Sequence, residues 1–262
     1  MRTPSRPEPL LDLCAELLVA VMRFDAPADG VVSNFFRVHR GLGQRERHVL
    51  AETTYCVLRQ RLLFQHFAQT GSGPAERRLA TVGWQGDDKA LVASLEPHEQ
   101  KWLARCRDVD VSTLPDKLRH NLPDWLAGAL HDELPDAEFW ALSDTLKKPA
   151  PLDLRVNLLK AKREAVATAL RQAGIEAVPT PYSPWGLRVL GKPALNKLDV
   201  FKHGEVEVQD EGSQLLALLT DARRGEMVVD FCAGAGGKTL ADRKSTRLNS
   251  SHGTTSRMPS SA

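Results

Sequence analysis

The sequence predicts a two-part fold in which an all-helical amino-terminal region is followed by an α/β region. Up to about residue 146, apolar residues recur every three or four positions, which is the period of an amphipathic helix. From residue 152 onward, short strand-like runs alternate with helical segments, which is the order expected in an α/β domain. A chain of 262 residues that is 42% hydrophobic and 26% charged can build one or two domains with buried cores.

The first region, residues 1–146, contains six segments that predict helices from an apolar stripe or from a proline at the first turn. These segments are Pro9–Phe24, Glu46–Phe67, Asp88–Leu95, Pro97–Cys106, Pro123–Glu133 and Asp136–Leu146. Between them, the polar and glycine-rich segment Gly71–Gly86 predicts a loop. Residues 147–151 read Lys-Lys-Pro-Ala-Pro and predict a linker.

The second region divides into a small α/β domain at residues 152–200 and a further segment at residues 201–241. Its strands and helices are predicted from alternation, from helical periodicity and from a left-handed glycine stop at Gly174. In chain order they are strand Leu152–Asn157, helix Ala161–Ala173, strand Ile175–Val178, a turn and strand within Tyr182–Val189, a strand around Val206 and Val208, and helix Gly212–Leu219.

A glycine-rich turn near the end of the chain predicts a cofactor site. The run Met227–Phe231 is apolar on both faces, as in a central parallel strand, and it breaks into the turn Cys232–Gly237 before a helix that starts at Lys238. Strand, glycine-rich turn and helix together build such sites at the carboxyl edge of a sheet. A phosphate-binding P-loop would need glycine at Cys232, and a dinucleotide fingerprint would need glycine at Thr239, so neither pattern fits. A tight turn without a ligand is the remaining alternative.

From Asp230 onward, the pattern Asp-x-Cys-Ala-x-x-Gly-Gly-Lys-Thr closely resembles motif I of the RNA (cytosine-C5) methyltransferases of the RsmB/Sun/Nop2 family. The resemblance implies that the turn wraps S-adenosylmethionine (SAM). Its glycines would allow close approach of the backbone, and its lysine would add positive charge beside the methionine carboxylate. The family usually has proline where this chain has Ala235. The implied cofactor-binding residues are Cys232, Ala233, Gly234, Ala235, Gly236, Gly237 and Lys238.

The segment before this turn resembles another part of the same family. Phe201–Gln214, with its Gln-Asp-Glu turn, resembles the lead-in motif of the catalytic domain. Residues 201–241 are therefore expected to begin a Rossmann-like class I SAM-dependent methyltransferase domain. Within them, Gln209, Asp210 and Ser213 are predicted either to floor the cofactor pocket or to cap the following helix.

The resemblance also implies RNA as a partner. The Leu-Arg-Val-Asn start of residues 152–200 resembles the small α/β RNA-binding subdomain of the family, in which Arg155, Asn157 and Lys160 are either RNA contacts or structural polar residues. In the helical region, Leu42–His48 resembles a stretch of NusB-like domains, which are associated with RNA binding. The arginines around it suit phosphate contacts or form a solvated charged face. They are Arg37, Arg40, Arg45, Arg47, Arg59 and Arg61.

The reaction of the family depends on a cysteine thiolate that adds to C6 of cytosine, after which C5 accepts the methyl group and loses its proton. In the family these cysteines lie in Pro-Cys and Thr-Cys contexts beyond motif I, and no position of this chain matches them. Cys232 would lie inside the cofactor turn, on the wrong side of the methyl group, so no catalytic residue is assigned. We expect the parent enzyme to methylate RNA, foremost ribosomal RNA. This polypeptide is expected to be an inactive amino-terminal fragment that exposes Met227–Phe231.

Net charge, cysteine spacing and the lengths of the apolar runs limit which partners we expect for this protein. Residues 242–262 are polar and aperiodic and predict a disordered tail; they back-translate onto a common sequencing adapter, so we interpret them as non-native. The tail contributes +3 to the net charge of +2, so the remaining chain is slightly acidic and the basic pI does not indicate nucleic-acid binding. Four scattered cysteines and the absence of an apolar run of ~20 residues predict a cytoplasmic protein with neither metal nor membrane partners. We also expect the protein to be monomeric.

Two rival functions remain open from the sequence. One is a non-catalytic RNA-binding module formed by the helical and small α/β regions alone. The other is a P-loop nucleotide-binding enzyme, which the cysteine at position 232 disfavours because the loop needs glycine there.

Overall fold

The computed structural model describes residues 10–191, 193–221, 226–231 and 236–242. The chain divides into two compact units, Met1–Pro149 and Ala150–Ala262, and each is described by itself. Within the described ranges, none of the helices combines the length and the apolar character that a membrane span requires.

The described part of the first unit is helical throughout. Its core gathers apolar side chains from most of its helices, and α1 contributes the fully buried Leu11, Leu17 and Leu18. The last two helices bury a small core of their own around Phe139. The ten α-helices described are α1 (Leu10–Val21), α2 (Ala28–Val38), α3 (Gln44–Arg59), α4 (Arg61–Ala68), α5 (Ala75–Val82), α6 (Asp88–Ser94), α7 (Pro97–Arg107), α8 (Asp116–His120), α9 (Asp124–Glu133) and α10 (Asp136–Leu146).

The predicted helix Glu46–Phe67 is two helices, α3 and α4, because the backbone leaves the helical region at Gln60. The freed amides at the start of α4 are capped from a distant part of the chain. The Asn121 side-chain oxygen accepts hydrogen bonds from the Leu62 N–H at 2.8 Å and the Leu63 N–H at 3.3 Å. The sequence pattern within the segment does not reveal this break, since its partner is about 60 residues away.

The prediction of a loop over Gly71–Gly86 is wrong for its middle. That segment contains helix α5, which buries Leu79, Ala80 and Thr81 against the core. Its sequence shows only one large buried apolar residue, so tertiary packing rather than an apolar stripe stabilises the helix. Helices α2 and α8 were also missed, and α8 spans only five residues.

The second unit is built on a four-stranded sheet in which all neighbouring strands are antiparallel, in the order β2-β3-β1-β4. Helix α11 covers the sheet, with Val166 and Leu170 packed against Leu154, Val156 and Leu187. The strands are β1 (Leu152–Val156), β2 (Ala177–Pro179), β3 (Gly186–Val189) and β4 (Val206–Val208). The helices are α11 (Arg163–Gln172), α12 (Asp199–Lys202), α13 (Glu211–Leu219) and α14 (Gly237–Asp242).

The sheet continues across residue 200, the boundary predicted between the small α/β domain and the methyltransferase segment. Strand β4 lies beyond that boundary, yet it pairs with β1, with Leu154 opposite Val208 and Val156 opposite Val206. The backbone hydrogen bonds of β1 are thereby satisfied on both edges, because β3 pairs with its other side. The left-handed stop expected at Gly174 is present, with φ of +75° after α11.

Helix α13 is tied to the sheet by a buried polar network. Asp153, on the central strand, accepts two hydrogen bonds of 2.8 Å from the Arg188 guanidinium on β3. At the start of α13, the Glu211 carboxylate accepts hydrogen bonds from the N–H groups of Tyr182 at 2.6 Å and Ser183 at 2.7 Å. The Ser183 hydroxyl in turn donates to the Gln214 side-chain oxygen at 2.6 Å. Asp153, Glu211, Ser183 and Gln214 in this network therefore each have a hydrogen-bond partner, as burial demands.

The strand predicted at Met227–Phe231 is not formed. Residues 226–230 have no regular secondary structure, and Met227 and Phe231 are 94% and 92% exposed. A central parallel strand needs a hydrogen-bonding neighbour on each side. In the described sheet, the edge strands β2 and β4 do not pair with residues 227–231, so this segment has no hydrogen-bonding neighbour. The expected exposure of this apolar segment is present for the same reason.

We expect Glu211→Gln to destabilise the second unit in a pH-dependent way. Burial alone would raise the pKa of the Glu211 carboxyl, but the N–H donors of Ser183 and Tyr182 and the charge of Arg188 outweigh it, so the pKa lies below the ordinary 4.5. A carboxylate with a lowered pKa in the folded state stabilises the fold above its unfolded pKa, and that contribution is lost as the pH falls through the folded pKa.

At pH 7 the substitution should lower the free energy of unfolding by about 1 kcal/mol, measured by urea denaturation. The difference from the unsubstituted protein should shrink as the pH falls below 4.5. The matched control is Glu164→Gln, because Glu164 forms only an exposed ion pair with Arg163. The control should change stability by less than ~0.5 kcal/mol. A difference for Glu211→Gln that is constant or grows toward low pH would contradict this account.

Candidate functional site

The structure describes three of the seven predicted cofactor-binding residues. Gly236, Gly237 and Lys238 lie at the start of α14, whereas Cys232, Ala233, Gly234 and Ala235 lie outside the described residues. Helix α14 begins at Gly237, one residue before the predicted start. Gly236 has φ of +81°, a conformation that side-chain-bearing residues rarely adopt, so the requirement for glycine at this position is a property of the backbone.

A cavity of about 360 Å³ lies beside these residues. Its volume is in the range of small-molecule sites, and its lining combines apolar walls with a few polar groups, as such sites do. The apolar part comes from α13 and from the exposed segment before the turn, and the polar part includes a lysine and two carboxylates. The lining residues are Leu216, Ala217, Thr220, Glu226, Val228, Val229, Asp230, Phe231, Lys238 and Thr239.

A hydrogen bond joins the two sides of the predicted turn. The Thr239 hydroxyl on α14 donates to a carboxylate oxygen of Asp230 at 2.7 Å. This bond holds Asp230, near the end of the apolar run, against the first turn of α14, although residues 227–231 form no strand. Thr239 was not among the predicted site residues; its place two residues after the second glycine of the motif is the signal that identifies it.

Gln209 links the small sheet to the start of α14. Its side-chain oxygen accepts a hydrogen bond of 2.6 Å from Arg155 Nε, and its backbone oxygen accepts one of 2.8 Å from the Gln214 side chain. A Cβ atom placed on Gly237 would lie 3.5 Å from Gln209 Nε2. Gln209 thus lies beside the first residue of α14 but does not line the cavity, so its role as the floor of a cofactor pocket stays a prediction.

Asp210 and Ser213 act as a helix cap. Asp210 accepts hydrogen bonds from the Ser213 N–H at 2.9 Å and from the Ser213 hydroxyl at 2.6 Å. The Ser213 hydroxyl, and after it the backbone N–H donors, hold the pKa of Asp210 below its usual value. The capping alternative is therefore the one the structure shows for this pair, since neither residue lines the cavity.

The three candidate RNA contacts each form hydrogen bonds within the protein. Arg155 is only 4% exposed and pairs with Glu207 and Gln209. The Asn157 side chain accepts from the Leu159 N–H at 3.1 Å, and Lys160 Nζ donates to the His203 carbonyl at 2.6 Å. These bonds give each side chain a structural role, but Lys160 is exposed, so a contact of this lysine with RNA stays a prediction.

The described cysteines belong to the first unit and do not have the properties of nucleophiles. Burial raises the pKa of the Cys14 thiol to about 12, and burial also raises the pKa values of Cys56 and Cys106. A thiol must be ionised to attack, so raised pKa values make these three poor nucleophiles. Over the ranges that the structure describes, histidine, cysteine and carboxylate side chains form no group of three or more suited to a metal ion.

A family model matches the end of the first unit and the first part of the second unit. The family model for the ferredoxin-like domain of RsmF/B-like methyltransferases matches residues 122–195, which include α9, α10 and strands β1 to β3. The ribosomal RNA small subunit methyltransferase B of Pasteurella multocida is 35% identical over 162 residues, covering 56% of this chain and 35% of that protein. The enzyme of the same name from Photorhabdus laumondii is 36% identical over 120 residues, covering 46% of this chain and 28% of that protein.

A solved structure shows the same fold. The crystal structure of PH0851 has a TM-score of 0.65 and 19% sequence identity, over 93% of this chain and 62% of that one. The chain spans only about a third of the length of the curated relatives it matches.

We expect Thr239→Val to loosen α14. The substitution keeps the shape of the side chain but removes the donor to Asp230, so backbone amides of residues 237–242 should exchange with deuterium about fivefold faster, the equivalent of one ordinary hydrogen bond. Thr145→Val is the matched control, because the Thr145 hydroxyl bonds only the Ala141 carbonyl within α10. Equal exchange rates at residues 237–242 in Thr239→Val and in the unsubstituted protein would contradict a role for this bond.

Proposed function

We propose that this chain, which belongs to the RsmB/Sun family of methyltransferases, carries the methyl-donor turn and RNA-binding parts of an enzyme that methylates cytosine at C5 in ribosomal RNA. The observation that carries the proposal is the placement of Gly236, Gly237 and Lys238 beside a cavity of ligand size. The names of the relatives support ribosomal RNA as the substrate class.

The residues around the cavity fit S-adenosylmethionine. Lys238 offers a positive charge for a carboxylate, and the conformation of Gly236 lets the backbone approach a ligand closely. Leu216 and Val228 offer apolar contacts for a purine ring. SAM supplies an electrophilic methyl group when it is bound. The part of this chain is to hold the donor: Gln209 supports the start of α14 from below, and Thr239 fixes Asp230 at the edge of the cavity.

The attacking thiolate of the proposed reaction has no counterpart among the four cysteines of this chain. Three have raised pKa values in the helical unit, and Cys232 belongs to the donor turn itself. The 262-residue chain is therefore proposed to bind the donor and RNA without turning them over.

A non-catalytic RNA-binding module remains the second candidate. The arginines of α2, of α3 and of the segment between them favour it, since Arg37, Arg40 and Arg45 are exposed and phosphates attract such groups. A P-loop nucleotide-binding enzyme is disfavoured, because the lysine and threonine follow a turn that lacks the first glycine of that loop.

We expect the purified chain to bind SAM and not ATP, as measured by isothermal titration calorimetry. Lys238→Gln should raise the Kd for SAM about tenfold, because it removes one charge-assisted contact. Lys89→Gln, at an exposed lysine of α6 in the other unit, is the matched control and should leave the Kd unchanged. Binding of ATP without SAM would favour the P-loop alternative and overturn the proposal.

We further expect no methyl transfer by the purified chain. With tritiated SAM and small-subunit ribosomal RNA that lacks base modification, incorporation into the RNA should not exceed that of a reaction without protein, because the nucleophile is missing. A longer relative of the same family serves as the positive control. Incorporation by the 262-residue chain that Cys232→Ser abolishes would show that the assignment of Cys232 to the donor turn is wrong.

A further inference from the structure

The first unit contains an open cavity of about 580 Å³ that the methyl-donor site does not use. We call it the Phe24 cavity. It lies where the end of α1, the break between α3 and α4, and the segment from α8 to α9 meet. Its lining consists of Phe24, Leu58, Arg61, Leu62, Lys117, Asn121, Pro123 and Asp124.

Phe24, which lines this cavity, has an unfavourable backbone conformation. It follows the end of α1 with φ of +56°, where helices ordinarily place glycine or asparagine. A bulky residue in the left-handed region is a genuine outlier, and such strain is concentrated at functional positions. Instead of packing into the core, the ring remains 57% exposed. The fold therefore holds a flat aromatic surface open to solvent.

The Arg61 guanidinium lies over this ring, 5.2 Å from its centroid. Among the described carboxylates, none forms an ion pair with Arg61, so its charge is available to an anion. Lys117 stands elsewhere on the lining and is paired with Asp124 at 2.8 Å. The net positive charge of the cavity therefore comes from Arg61, directly beside the aromatic surface.

Asn121 holds the segment that carries Arg61 through three hydrogen bonds. Arg61 is the first residue of α4, and Asn121 caps the next two amides, Leu62 and Leu63, while its own amide group donates to the Arg59 carbonyl. Asn121 is itself left-handed, with φ of +56°. Two of the three described non-glycine residues with positive φ thus line one cavity, and one of them fixes the segment that carries the cation.

We propose that the Phe24 cavity binds a nucleotide, with the base stacked on the open face of Phe24 and the phosphate paired with Arg61. A planar aromatic group beside an anion is the chemistry that an exposed ring next to an unpaired guanidinium recognises. Leu58, Leu62 and Pro123 supply apolar contacts around the base. The same chemistry occurs in a free nucleotide and in an unpaired nucleotide of RNA, and the two sources are separated by the test.

The test measures binding to the full chain by fluorescence anisotropy of a labelled eight-nucleotide single-stranded RNA of mixed sequence, with cytidine and adenosine monophosphate as competitors. Phe24→Asn removes the ring while keeping a residue that tolerates the left-handed conformation. Arg61→Gln removes the charge and keeps the length of the side chain. Arg105→Gln, at an exposed arginine of α7 that does not line the cavity, is the matched control.

Phe24→Asn and Arg61→Gln should each weaken binding of the RNA about tenfold, the scale of one lost stacking or charged contact, and Arg105→Gln should not. Competition by either monophosphate would identify a free nucleotide as sufficient, whereas binding of the oligonucleotide alone would identify RNA. Equal losses in Arg61→Gln and Arg105→Gln would reduce the effect to general surface charge and overturn the proposal. Unchanged binding by Phe24→Asn, or no binding of either probe to the unsubstituted chain, would also overturn it.

Discussion

The second unit depends on the charge network that ties helix α13 to the central strand. Asp153 and Glu211 are both buried, and burial of a carboxylate is costly unless donors surround it. Arg188 and two backbone N–H groups provide those donors. Because the partners come from β1, β3, the turn before β3 and α13, the network is complete only when these elements hold one arrangement.

The same arrangement sets the position of the candidate donor site. Helix α13 provides one wall of the cavity, and its capping residue Asp210 directly follows Gln209, which packs below Gly237. The position of the site is thus determined by polar contacts in the small sheet. The exposed segment before the turn contributes the other wall without the support of strand pairing.

Patterns in the sequence predicted the helices and turns that depend on residues close to each other in the chain. An apolar stripe located α1, prolines at the helix starts marked α7 and α10, and the glycine after α11 has the expected left-handed conformation. Such patterns did not predict features that depend on contacts between residues far apart in the chain. The division between α3 and α4 depends on Asn121, and the pairing of Asp153 with Arg188 joins residues 35 positions apart. A helix such as α5, held by packing more than by its own stripe, is invisible for the same reason.

Among the motif residues, too, some roles follow from the neighbouring sequence and others depend on distant contacts. The need for glycine at position 236 is local, because it follows from a positive φ that the sequence pattern already implies. The roles of Arg155 and Lys160 are not local. Both are cations in a segment that resembles an RNA-binding subdomain, yet Glu207 and the His203 carbonyl occupy them. A positive charge in the sequence becomes a candidate contact for RNA only where the fold leaves it without an internal partner. By that criterion Arg61, over the exposed ring of Phe24, is a stronger candidate than Arg155.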